Sequence, residues 1–280
     1  MDDSIQQALG PRIAVVAFDG WNDAGEAASQ AVARLRAATT STEIAAVDPE
    51  LFFDYQYTRP AMRTDGEGRR YLEWPEATLH RPATPDGFWT IRGVEPARAW
   101  RGFTGEFVDA LLAEDITGVI AVGAMMSDVP HTRPIAVHAT SENQLLRNQL
   151  EIDRSRYEGP TGILGVLTDA TERAGIPTMS LWASVPHYVA GTTPSPKATL
   201  ALLERIAEIT GRELPLGTLP TEAATWEATV DAAAADDDEM RDYIHQLEEA
   251  RDTWDSPEAS GDAIAQAFEK YLRDGRPPKG

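Results

Sequence analysis

Apolar runs alternate with helical periodicity along most of the chain. Ile13–Phe18 reads IAVVAF, a nearly continuous apolar run that predicts a strand buried on both faces, as in a parallel sheet. After the polar loop Asp19–Asp23, the spacing of Ala27, Ala31, Leu35 and Ala38 predicts a helix over Ala24–Ala38. Asn22 or Asp23 suits its N-cap, with Glu26 as capping-box partner. Glu43–Val47, continuing to Phe53, predicts a second strand that runs into the aromatic stretch Phe52–Tyr57. Thr64–Arg70 is polar and holds glycines, which reads as a hairpin loop or a mobile segment. Phe88–Arg92, Gly118–Gly123, Ile163–Leu167 and Thr178–Ala183 predict further strands. Helices are predicted over Phe103–Ala113, near Asp169–Ala174, and over Ser195–Thr210, where Ser195-Pro196 reads as N-cap and first turn. This alternation predicts an α/β fold with a mostly parallel sheet between helices.

After residue 213 the pattern changes. Leu214–Pro220 reads as a linker, and three helical stretches follow at Glu222–Ala234, Asp237–Thr253 and Gly261–Arg273. The expected division is a core domain over 1–212 and an acidic helical appendage over 213–280. An appendage of about 60 residues is small enough to depend on docking for its stability.

Composition narrows the function classes. The 280 residues are 42% hydrophobic and 25% charged, enough for a sizeable core. The net charge is −20, and residues 212–280 supply half of it with seventeen acidic and seven basic side chains. Such a field repels nucleic acid and anionic membrane surfaces. The sequence has no apolar stretch long enough to span a bilayer, and its opening MDDSIQQALG lacks the basic and apolar regions of a signal peptide. A cytoplasmic protein is the expectation. With no cysteine, disulfides, thiolate metal sites and cysteine nucleophiles are excluded.

Candidate chemistry gathers in the loops that leave strand ends, where open α/β sheets bind ligands. The first is Asp19-Gly20-Trp21-Asn22-Asp23, leading into a helix N-terminus whose free N–H groups suit an anion. Simple helix capping accounts for one acidic residue there, but not for Asp19, Trp21 and Asp23 together. The second is Ser127-Asp128-Val129-Pro130-His131-Thr132-Arg133-Pro134. Asp128 and His131 are the candidate catalytic pair, a carboxylate holding a general base, and Arg133 could clamp a carboxylate or phosphate. The alternative is a polar loop whose course two prolines fix. Asp19, Trp21, Asn22, Asp23, Ser127 and Arg133 are the candidate ligand-binding set. A third loop, Tyr57-Thr58-Arg59-Pro60, carries aromatics better suited to a core or an oligomer interface. His-x-His and His-x-x-x-His spacings are absent, so neither metal nor cofactor is expected. GxSxG, GxxxxGK[ST] and GxGxxG are absent as well.

Three segments in order carry a family resemblance: Phe18-Asp19-Gly20-Trp21-Asn22-Asp23-Ala24-Gly25, Gly123 through Pro134, and Gly165-Val166-Leu167-Thr168-Asp169-Ala170 through Pro186-His187-Tyr188. They resemble the proteasome-assembly-chaperone-two (PAC-two) family, in its actinobacterial branch. The resemblance covers roughly residues 10–210, and the helical tail is similar to that branch's C-terminal extension. It implies a three-layer α/β/α architecture with a mixed sheet, similar to phosphorylases and hydrolases. It also implies a homo-oligomer, with a trimer as the working number, and a protein partner. Relatives that dock on proteasome core particles end in a hydrophobic–Tyr–any tripeptide, whereas this sequence ends Pro278-Lys279-Gly280, so tail docking is not expected.

Two functions remain open at this point. One is a homo-oligomeric interaction or assembly protein. The other is a small-molecule binding protein or a hydrolase- or phosphorylase-like enzyme with a polar pocket at the strand ends.

Overall fold

The computed structural model describes residues 9–189 and 194–254. Its organising strand is β1 (Ile13–Asp19), which pairs in parallel with β6 (Trp89–Val94) on one side and β7 (Gly118–Ser127) on the other. Alternation along β1 feeds two cores. Ile13, Val15 and Ala17 face α1 (Ala27–Ala38) and α6 (Pro196–Thr210). Ala14, Val16 and Phe18 face α3 (Trp100–Ala113) and α5 (Ile163–Arg173). Both faces are covered, which is why the strand reads as an unbroken apolar run. On the second face Phe18, Phe103 and Phe107 pack as tilted and edge-on rings, and Phe52 stands edge-on to Phe103.

Seven strands lie in the order β2 (Ser41–Ala46), β5 (Ala77–Pro82), β6, β1, β7, β9 (Thr178–Pro186) and β8 (Val137–Thr140). β9 continues the parallel set beside β7. The flanks turn antiparallel: β5 and β2 at one side, β8 at the other. The expected three-layer α/β/α architecture with a mixed, mostly parallel sheet is the observed one. A separate ribbon of β3 (Ala61–Thr64) and β4 (Arg70–Glu73) brackets the predicted hairpin loop.

Several elements depart from the pattern reading. Ile163–Leu167 is not a strand but the opening of α5. Ile163, Leu164 and Leu167 are buried at helical spacing, which a five-residue apolar run does not distinguish from a strand. The second strand stops at Ala46, because Asp48 caps a short helix, α2 (Pro49–Phe52), by accepting the Glu50 N–H. β5, β8 and the short helix α4 (Gln144–Leu150) have no counterpart in the pattern reading. The helix over Ser195–Thr210 is present, and the Ser195 side chain accepts the N–H of Ala198.

Two acidic helices follow, α7 (Leu219–Ala235) and α8 (Asp238–Trp254). Leu219, Ala223 and Trp226 of α7 are buried, with Leu219 joining the core beneath α6. The helix predicted over Gly261–Arg273 lies outside the described residues. Among the described residues, no helix is long and apolar enough to cross a membrane.

Candidate functional site

Four elements converge beyond Asp19. Gly20 turns the chain with a φ of 120°, and Asn22 then runs beside β7, where its carbonyl accepts the N–H of Ala124 at 2.8 Å. Asp23 caps α1 from an unexpected distance, its Oδ1 accepting from Ala28 at 2.7 Å and Ser29 at 3.2 Å. A single 3₁₀ turn, Ala24–Glu26, is inserted between them. Glu26 adopts a left-handed backbone, and the predicted capping box does not form.

Glu95, at the end of β6, ties the convergence together. Its Oε1 accepts the first N–H of α5, from Ile163, at 2.8 Å, and also faces Asn22 Nδ2 at 3.5 Å. A carboxylate at a helix N-terminus is well placed electrostatically. Gly162 makes the approach possible, since a Cβ there would sit 2.2 Å from Asn22 Nδ2. Burial pushes the Asp23 carboxyl above its ordinary range, against the hydrogen bonds from Ser29 and Ala28. Burial also raises Asp19, opposed by Arg92 at 3.6 Å.

This convergence forms one wall of a cleft of about 1130 Å³ over β7, β9 and β8. Trp182 floors it, lying across Gly123, where a Cβ would come within 2.6 Å of the indole. Trp21, Met126 and Tyr157 stand at its edges, 67%, 62% and 66% exposed. Acidic side chains from Asp23, Glu142, Asp169 and Glu172 also line it, against the single guanidinium of Arg173.

The second loop goes elsewhere. His131 is fully buried and does not line the cleft. The Tyr188 hydroxyl accepts its backbone N–H and lies 2.8 Å from Nδ1, while Nε2 lies 3.0 Å from Asp231 on α7. A hydroxyl that accepts the amide and donates to Nδ1 leaves Nε2–H to donate to Asp231, so every polar atom of the ring is satisfied. Burial raises the Tyr188 phenol to about 12. Lys197 donates to the His131 carbonyl at 2.6 Å and pairs with Glu227 of α7. Arg133 pairs with Glu248 and, through two hydrogen bonds, with Asp252 on α8. Thr132 also donates to Glu248.

Asp128 does not pair with His131. It is exposed and faces His187 Nδ1 at 3.3 Å. Ser127 ends β7, and its carbonyl accepts the N–H of His187. Of the predicted site residues, Trp21, Asn22 and Asp23 therefore meet at the cleft. Asp19 faces Arg92 and does not line it, and Ser127, Asp128, His131 and Arg133 lie outside it. Sequence reasoning missed Trp182 and Tyr157, which line the cleft, and Glu95, which ties its wall together. The strand–Glu95–Pro96 junction could have hinted at Glu95, and nothing local marks the other two. Among the described residues, no three His, Asp or Glu side chains are arranged to hold a metal ion.

The model of the PAC2 family matches residues 17–234, from the end of β1 into α7. A PAC2 family protein from Streptomyces avermitilis is 40% identical, with a TM-score of 0.75, over 83% of this chain and 99% of that one. A proteasome-assembly chaperone homologue from Mycobacterium tuberculosis is 39% identical, with a TM-score of 0.74, over the same shares. PbaA of Pyrococcus furiosus, an archaeal homologue of proteasome-assembly chaperone, shares the fold at 20% identity and a TM-score of 0.58, over 87% of this chain and 96% of that one. No curated protein matches the chain.

Proposed function

The chain belongs to the PAC2 family, and from that premise we propose that it is a cytoplasmic, homo-oligomeric interaction protein of the assembly type. On this reading the cleft at the strand ends is a protein-association surface rather than a catalytic centre. The observation that carries the reading is the cleft itself: large apolar side chains, Trp21, Met126 and Tyr157, stand exposed around an indole floor. Contiguous exposed apolar surface of this kind marks association sites in soluble proteins. The name of the relative from Mycobacterium tuberculosis, a proteasome-assembly chaperone homologue, supports the same class of role. The pairing of His131 with Asp231 and of Arg133 with Asp252, both away from the cleft lining, supports reading these two candidates, one catalytic and one ligand-binding, as packing partners of α7 and α8.

A second reading has its own observation. Asp19 and Asp23 both hold their protons more tightly than ordinary carboxyls, and Asp23 lines the cleft beside Asn22. Perturbed carboxyls beside a cavity are a recurrent sign of small-molecule chemistry.

Solution mass measured by light scattering, wild type beside Met126→Glu, separates the two. The interaction reading expects an oligomer that the substitution dissociates while the melting temperature holds. A protein that stays monomeric at every concentration, and that a nucleoside or small carboxylate stabilises unless Asn22 is replaced by Ala, would overturn it.

A further inference from the structure

The ribbon of β3 and β4 stands away from the rest of the fold. Among the described residues, its strands pair only with each other, and every side chain of β4 is exposed. Its described ion pairs, Arg63–Glu73, Arg69–Asp65 and Arg69–Glu67, are internal, and at the tip a Cβ on Gly66 or Gly68 would meet nothing. It is anchored at the base, where the Trp74 ring meets Tyr55 edge-on at 5.1 Å. A two-stranded ribbon with no third strand or helix against it is marginal in water.

The ribbon also carries an apolar face. Met62 and Leu72 are directly paired across the strands, so they project to the same side. They are 51% and 47% exposed, and Tyr57 at the base is exposed too. Residues 59–73 hold four arginines against three acids in a chain of net charge −20, and no ion pair engages Arg59 or Arg70 among the described residues.

We propose that this hairpin is an intersubunit arm whose Met62–Leu72 face seats in the cleft of a second copy of the chain, against Trp21, Met126 and Trp182. The inference rests on the reading of the cleft as an association surface and names its occupant. Apolar face meets apolar floor, and Arg59 and Arg70 of the ribbon meet a cleft that holds Asp23 and Glu172 beyond the pairs Glu142–Arg154 and Asp169–Arg173. The arm springs from the β2–α2 flank of the sheet, whereas the cleft lies over β7, β9 and β8 at the opposite flank. A protrusion and a recess at different places on one subunit make a head-to-tail contact, which closes into a ring when its rotation allows. In such a ring each cleft is completed by its neighbour.

The chain has no cysteine, so introduced thiols report without background. Met62→Cys and Met126→Cys proteins are mixed, allowed to exchange subunits, and mildly oxidised. The expected product is an interchain disulfide between positions 62 and 126. In a second variant, Met62→Glu with Leu72→Glu, self-association weakens on the order of 100-fold, as for loss of central apolar anchors, with unchanged melting. A wild-type oligomer that gives no 62–126 product and ignores the hairpin charges would overturn the arm while leaving the association reading intact. Disulfides formed only between two 62 positions would overturn it in favour of hairpin-on-hairpin pairing. A wild type that is monomeric throughout would overturn both.

Discussion

The loop after β1 and the loop after β7 leave neighbouring parallel strands at the same end of the sheet, and both are crowded with charged and polar side chains. The first stays at the surface of a cleft. Asn22 and Asp23 are buried yet line it, and Trp21 projects beside them. The second is roofed by α7 and α8, which carry Asp231, Glu248 and Asp252 to His131, Thr132 and Arg133. Position at a strand end therefore does not assign chemistry. What decides is whether a later part of the chain brings partners of opposite charge and covers the loop. Here an acidic pair of helices does so, and Arg34–Glu222 and Lys197–Glu227 extend the same pattern along α7.

His131→Ala should have the largest effect on folding. If the histidine is a buried strut, its removal takes the Nδ1 partner from the Tyr188 hydroxyl and the Nε2 partner from Asp231 while opening a void, and only the backbone N–H of residue 131 still reaches Tyr188. The expected loss is on the order of 2–3 kcal/mol of unfolding free energy, read as a lower urea midpoint. Self-association through the cleft should survive at temperatures where the variant is folded. Near-native stability combined with lost ligand binding would return His131 to the class of reacting groups.

Arg133→Ala should act on the same joint more gently. Its pairs with Asp252 and Glu248 are part-exposed, so a cost of about 1 kcal/mol or less is expected. Hydrogen exchange localises it: amides of α8 should lose protection while those of α1 hold theirs, and high salt should mimic the substitution in the wild type. Equal loss across both helices would mean that the loop does not anchor the tail specifically.

The contrast between the loops also measures what the sequence could tell. β1 and the Ser195 cap were legible because their causes are local, a run buried on two faces and a hydroxyl three residues from the N–H it accepts. The start of α5 was not, because its first N–H is satisfied by Glu95, 68 residues earlier. Trp21, Asn22 and Asp23 announce themselves as a cluster, but Trp182 shows its role only once Gly123 on the next strand leaves room for its ring. His131 and Arg133 stood out equally well. Their partners lie 100 and 119 positions away, so the same local pattern concealed a packing joint.

At Asp23 the two roles of the first loop, cap and cleft wall, can be separated. Asp23→Ala removes the acceptor of two N–H groups and should cost about 1 kcal/mol. Asp23→Asn keeps an acceptor and removes the charge. Because burial raises the folded-state pKa, the native protein binds this proton more tightly than the unfolded chain does. Its contribution is fully present below the ordinary value of 3.8 and is lost as pH rises through the raised one. Urea midpoints from about pH 3 to about pH 7 should therefore show the Asn variant gaining on wild type across that window, then running parallel to it. Parallel curves throughout would remove burial as the dominant influence on this carboxyl.

The smallest effect on folding is expected at Trp21→Ala, and that smallness is what makes it informative. An indole this exposed contributes little to the native state, so stability should stay within about 0.5 kcal/mol of wild type. The same side chain would be covered in an arm-filled cleft, and aromatic anchors of that kind dominate interface energetics. Dilution monitored by light scattering should then show the variant dissociating at a concentration on the order of tenfold higher or more. His131→Ala runs the other way, with a large cost in folding and none in association. If Trp21→Ala lowered the urea midpoint as far as His131→Ala does, the indole would be packing within its own chain, and the two loops would differ only in which part of that chain covers them.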